Sequence, residues 1–184
     1  MGIFSENKGF FMFLGKFALS YLVLTGIYML YLAPYSPEVG QTDPVTHIIA
    51  GQGSSLVRLF GEESYINQHP LEASDKFFVN GKYVSRIVEG CNAISVMILF
   101  AAFIVAFSTT FKRTFLYIVA GILIIYVLNI VRIAFITMAA YFYPEYSLFI
   151  HDIVFPVFIY GVVFLLWVIW VTKFYKSNEK QAKA

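Results

Sequence analysis

Apolar residues gather in four long runs along this chain, parted by short polar breaks and one long mixed segment. The runs cover residues 10–33, 92–111, 114–142 and 149–171. A helix needs about 20 predominantly apolar residues to cross the hydrocarbon core of a bilayer. The pattern therefore predicts an all-α polytopic membrane protein with about four transmembrane helices, the whole chain, 1–184, forming one membrane domain. The first run reads as a retained span rather than a cleaved leader. Its uncharged stretch, starting at Phe17, is longer than the apolar region of a signal peptide, and Pro34 follows Ala33 where cleavage would fall.

The mixed segment, 34–91, is too long to be structureless. Asp43-Pro44 has the form of an N-cap followed by proline at the first helical position. Val45, Ile48, Ile49, Leu56, Leu59 and Phe60 follow at near-helical spacing and stop at Gly61. They predict an outer amphipathic helix lying on the membrane surface, with Gly51 and Gly53 as weak points. Residues 61–75 read as a polar stretch. Phe77-Phe78-Val79, then Asn80-Gly81, then the run from Tyr83 to Val88 predict a small β-hairpin with a tight Asn-Gly turn.

Composition agrees with a membrane protein. Hydrophobic residues make up 59% and charged residues 13%, about half the charge of an average soluble domain. A formal charge of +2 gives no footing for nucleic acid. One cysteine excludes an intrachain disulfide and any multi-cysteine metal site. No glycine-rich phosphate loop, His-Glu-x-x-His or Gly-x-Ser-x-Gly motif is present, and no cofactor is called for.

Charge sets the orientation. Lys8 precedes the first run, Lys112 and Arg113 lie between the second and third, and Lys173, Lys176, Lys180 and Lys183 follow the fourth. If each run crosses once, these positions share one side, which the positive-inside rule makes the cytoplasm. Both termini are then cytoplasmic and the 34–91 connection lies outside. That connection carries four basic residues, Arg58, Lys76, Lys82 and Arg86, against seven acidic ones, in keeping with an outer location.

On this arrangement Cys91 opens the second span from the outer side. Arg132 lies 18 residues beyond Thr114, about 27 Å along a helix and so near the outer boundary. His151 begins the fourth span at the same level. A lone cysteine is ordinarily a small packing residue, an arginine at this depth can snorkel to headgroups, and His151-Asp152 can be an interfacial pair. Their coincidence at one depth points to chemistry. The thiolate is the nucleophile of acyl transfer, histidine can move the protons, and arginine can stabilise a developing oxyanion. Asn129 lies one helical turn before Arg132, on its face, where it can orient the guanidinium. Asp152 would point about 100° from His151 on an α-helix, so it is not an obvious third member of a triad. His47 and His69 read as solvated, Glu89 as a rim charge, Pro156 as a kink in the fourth helix, and the tail from Lys176 as frayed.

Glu89-Gly90-Cys91-Asn92-Ala93, the helix segment Leu128-Asn129-Ile130-Val131-Arg132-Ile133, and His151-Asp152 in the next span together resemble the exosortase/archaeosortase family, in its short exosortase type F-like form. The resemblance runs from about Asp43 to Val171. It implies a cysteine peptidase/transpeptidase of the bacterial inner (plasma) membrane, with Cys91, Arg132 and His151 catalytic at the outer, periplasmic face. The implied substrates are membrane-anchored proteins with a C-terminal sorting signal: a short motif, a transmembrane segment and a basic tail. Cleavage would pass through a thioester, released to a lipid or glycan acceptor or to water. The chain departs from the family in two respects. Many members have about eight spans, and Ser/Thr-Gly is common where this chain has Asn92-Ala93. Two other classes compete with the enzyme: a non-enzymatic envelope assembly subunit, and a small transporter with a relay of Arg132, His151 and Asp152.

Overall fold

The computed structural model describes residues 7–35 and 40–175, and turns every apolar run into helix. Helix α1 spans Lys8–Leu32 and α2 spans Pro44–Leu59. Strands β1 (Ser64–Gln68), β2 (Ser74–Val79) and β3 (Lys82–Val88) follow. Helix α3 spans Ile94–Ala106, α4 spans Phe111–Phe142 and α5 spans Phe155–Ile169. The protein is mostly helical, with a small three-stranded sheet. Three helical stretches are long and apolar enough to cross a membrane: Gly9–Tyr35, Phe111–Phe142 and Pro144–Tyr175.

The second apolar run differs from its expected span. Helix α3 has 13 residues, about 20 Å, against about 30 Å of hydrocarbon. The run loses helix at both ends to polar capping. Asn92 Oδ1 accepts the backbone N–H of Ile94, with Ala93 left-handed between them. At the other end the Thr109 N–H donates to Thr114 Oγ1 at the start of α4.

The chain divides into two compact units. The first comprises the described residues of Met1–Leu30, Ser95–Ile124 and Gly161–Ala184. Aromatic side chains hold it together: Phe103 stacks on Trp167 at 4.3 Å and Phe13 meets Phe107 at 4.4 Å between ring centroids. The two indole and phenol groups that reach its interior find backbone partners, Trp170 Nε1 on the Phe107 carbonyl and Tyr117 Oη on that of Leu166. The lysine-rich tail beyond Tyr175 lies outside the described residues.

The second unit comprises the described residues of Tyr31–Ile94 and Ile125–Tyr160. Helix α2 begins as its sequence prescribes, with Asp43 as N-cap accepting from the Thr46 N–H and Pro44 in the first turn. The sheet is antiparallel in the order β1-β2-β3. The β2–β3 turn is Asn80-Gly81, both at positive φ, as a tight hairpin requires. Strand β1 lies in the stretch that reads as polar; of its residues only Ser64 is buried, so no alternation marks it.

Ile49, Ala50 and Val57 of α2 pack with Phe77, Val79 and Ile87 of the sheet and Ile133 and Ala134 of α4. The buried side of α2 is otherwise small or polar: Thr46, Gly53 and Ser54. Ile48, Leu59 and Phe60 remain exposed. So α2 is clamped between protein on one side and presents large apolar residues on the other. His47 is exposed, in keeping with a solvated residue, yet it also has a protein partner. Its Nδ1 meets both carboxylate oxygens of Asp75 at 3.1 Å, and Asp75 is fully buried on the central strand. The imidazole thus ties α2 to the sheet.

The two glycines of α2 have opposite reasons. A Cβ on Gly53 would lie 2.8 Å from Ile133 Cγ2, so this glycine permits the close approach of α2 to α4. A Cβ on Gly51 would meet only Ile66 Cδ1, at 3.8 Å. Gly51→Ala should therefore stabilise the protein by about 1 kcal/mol through helix propensity. Gly53→Ala should destabilise it by about 1–2 kcal/mol, since overpacking outweighs the same propensity gain. Thermal unfolding of the purified protein in detergent would reveal the opposite signs.

Candidate active site

Cys91 ends a 3₁₀ turn, Glu89–Cys91, that joins β3 to α3. This places the thiol ahead of the helix, on a turn rather than in its first residues. Arg132 projects from α4, and His151 from a π-helical turn, Ile150–Val154, that precedes α5. All three side chains line one cavity of about 40 Å³ in the second unit. Ser85, Arg86 and Ile87 of β3 and Ile133, Ile136 and Thr137 of α4 complete its wall. Ser85 Oγ and Thr137 Oγ1 lie 3.2 Å apart and fasten the strand to the helix beside the cavity.

Asn129 organises the buried half. It is fully buried, and its Nδ2 donates to the carbonyl of Cys91 at 2.8 Å. Its Oδ1 accepts from Arg132 Nη1 at 3.4 Å. One amide thereby links the backbone of the cysteine to the guanidinium. Arg132 Nε is buried without a hydrogen-bond partner among the described residues. A buried donor left unpaired costs free energy, and such a donor in a cavity is placed for an acceptor brought by a ligand.

His151 forms the exposed half. Its Nδ1 lies 2.6 Å from Asp152 Oδ1, with both side chains at least half exposed. On an α-helix adjacent residues diverge by about 100°. The π turn has more residues per turn, so neighbours diverge less and the two groups meet. Pro156 lacks an N–H for the carbonyl of Asp152, four residues back, and the widened turn sits there. The proline signal was present in the sequence, but its consequence for Asp152 follows only from the turn geometry.

A model of the transmembrane exosortase family (Exosortase_EpsH) matches residues 9–171. The chain belongs to that family. No curated protein and no solved structure matches it. Exosortase membership and the three long apolar helices establish a membrane protein.

The Asn-Ala departure now has a physical reading. Ala93 sits at φ +61, in the left-handed region, and is buried. Glycine occupies that region without steric cost. Alanine retains it here because the surrounding turn fixes it. Ala93→Gly should stabilise the exosortase by about 0.5–1 kcal/mol, the relief of left-handed strain exceeding the added freedom of the unfolded chain. Ala93→Val should destabilise it by more than that. Melting temperatures in detergent measure both, and a lower value for the glycine variant would contradict the reading.

Proposed function

We propose that this exosortase is a membrane-embedded cysteine transpeptidase that cleaves and sorts membrane-anchored proteins bearing a C-terminal motif, transmembrane segment and basic tail. One observation carries the reading: the chain's single thiol shares a small cavity with Arg132, whose buried Nε donor lacks a partner among the described residues. The Cys91 thiolate attacks the scissile carbonyl carbon. Arg132 donates hydrogen bonds to the oxyanion that forms, where a water-poor setting makes them strong. As the intermediate collapses, the C–N bond breaks and the leaving amine takes a proton from His151. The acyl group stays on sulfur as a thioester.

The second half reverses the roles. His151 accepts the proton of an incoming lipid or glycan hydroxyl, or of water, as its oxygen attacks the thioester. The C–S bond breaks and the thiolate returns. Asp152, on Nδ1, holds the imidazole so that Nε2 carries the proton traffic. The proposal places the site at the outer face of a bacterial inner membrane, with cytoplasmic termini and four crossings. In that arrangement α3 crosses with the help of its flanking turns, and the exposed Ile48, Leu59 and Phe60 of α2 rest in the outer headgroup region.

Expression in cells beside a membrane protein with such a C-terminal signal provides the test. Cys91→Ala should abolish its processing. Arg132→Lys and His151→Gln should each slow it by about 10²–10³-fold while the protein still accumulates in the membrane. Unchanged processing by Cys91→Ala would end the enzyme reading. Loss of function in Arg132→Ala alone would favour a transporter.

A further inference from the structure

The turn that carries the thiol is held from below as well as from α4. Asn92, next to Cys91, is 1% exposed. Its backbone N–H donates to the carbonyl of Glu89 and closes the turn. Its side chain is engaged at both ends: Oδ1 accepts from the Ile94 N–H at 2.8 Å, and Nδ2 donates to Thr46 Oγ1 at 3.1 Å. Thr46 is fully buried in the first turn of α2, and its own N–H is held by Asp43 Oδ1. That carboxylate oxygen also accepts from the hydroxyl of Tyr31. A continuous path of buried hydrogen bonds thus runs from the N-cap of α2 to the residue beside the nucleophile.

We propose that Thr46 and Asn92 are positioning residues for the Cys91 thiol, and that α2 thereby belongs to the catalytic apparatus. The inference rests on the cysteine-enzyme reading and adds two residues to it. Three features argue against a merely structural pair. The bond joins residues 46 positions apart and ties the first turn of α2 directly to the residue beside the thiol. It restrains a turn whose next residue, Ala93, is held left-handed. Finally, the cavity at the thiol is small, about 40 Å³. A turn displaced by about 1 Å would therefore carry the sulfur out of line with Arg132 and His151.

Cys91 is the only cysteine, so thiol labelling of the full-length protein in native membranes reports on this one sulfur without a substrate. The reading is the ratio of its modification rates by methyl methanethiosulfonate, which is small, and by N-ethylmaleimide, which is bulkier. Thermal melting is recorded on the same preparations. Thr46→Val, which removes the hydroxyl and keeps the shape, should lower the size selectivity by about fivefold, the equivalent of one net hydrogen bond. Thr46→Ser should restore it to within about twofold, as it retains the hydroxyl. Asn92→Gln should resemble Thr46→Val and keeps the test alive if the latter does not fold. The double variant should add nothing to either single change. An unchanged selectivity in folded Thr46→Val or Asn92→Gln, even with a lower melting temperature, would overturn the proposal. Processing by Cys91→Ala decides the enzyme reading separately, so the two ideas fail on different measurements.

Discussion

A primary amide buried in an apolar helix must find partners or destabilise the protein, and Asn129 finds them at the cysteine and the arginine. Its two ends reach the carbonyl of Cys91 and the guanidinium of Arg132. Removing water makes each of these bonds stronger and the loss of any one more costly. The turn after β3 therefore has a fixed height along α4. The strand that leads into the turn keeps the same register against the helix, with Ser85 facing Thr137.

The rest of the second unit braces this contact. Helix α2 packs its small residues on the sheet and against Ile133, an approach that only a glycine at position 53 permits. His47 fastens the same helix to the central strand through Asp75. Thr46, one residue earlier, reaches Asn92 beside the thiol. Burial of polar groups at such density is expensive unless each is paired, and here most of them are. The exceptions among the described residues include Arg132 Nε, at the cavity where a ligand oxygen would complete it.

Much of this was legible in the sequence because the physics was local. Apolar length announced the helices, Asp43-Pro44 announced the start of α2, and Asn80-Gly81 announced the hairpin. Strand β1 was not legible, since one buried serine leaves no period-two pattern to read. The protein-facing side of α2 was not legible for a related reason: Thr46, Gly53 and Ser54 lie there beside Ile49, Ala50 and Val57, so no apolar stripe marks the contact with α4 and the sheet. The depth count brought Cys91, Arg132 and His151 to one level, which is a property of spacing along helices. It could not assign Asn129 to the cysteine carbonyl, because Cys91 lies on a turn whose path depends on the sheet. Nor could it join His151 to Asp152, because α-helical geometry was the natural assumption and a π turn replaces it.

Under the proposed acyl transfer, the site unites two environments that suit the two kinds of charge movement the reaction requires. An oxyanion is short-lived and forms at one place, so its donor gains most from burial and fixed orientation. In the proposed mechanism that donor is Arg132, half-buried, with its Nε enclosed and its Nη1 on Asn129. Protons must instead be exchanged with a departing amine and an incoming hydroxyl, which arrive from outside the protein. An imidazole closed in the core could not serve both, and His151 is half exposed and steadied by its neighbour Asp152. Cys91 stands between these environments on a turn, partly buried, with its backbone anchored on the buried side. A thiol within the regular part of α3 would take its direction from the helix axis. On the turn its backbone is instead anchored through the Cys91 carbonyl by Asn129.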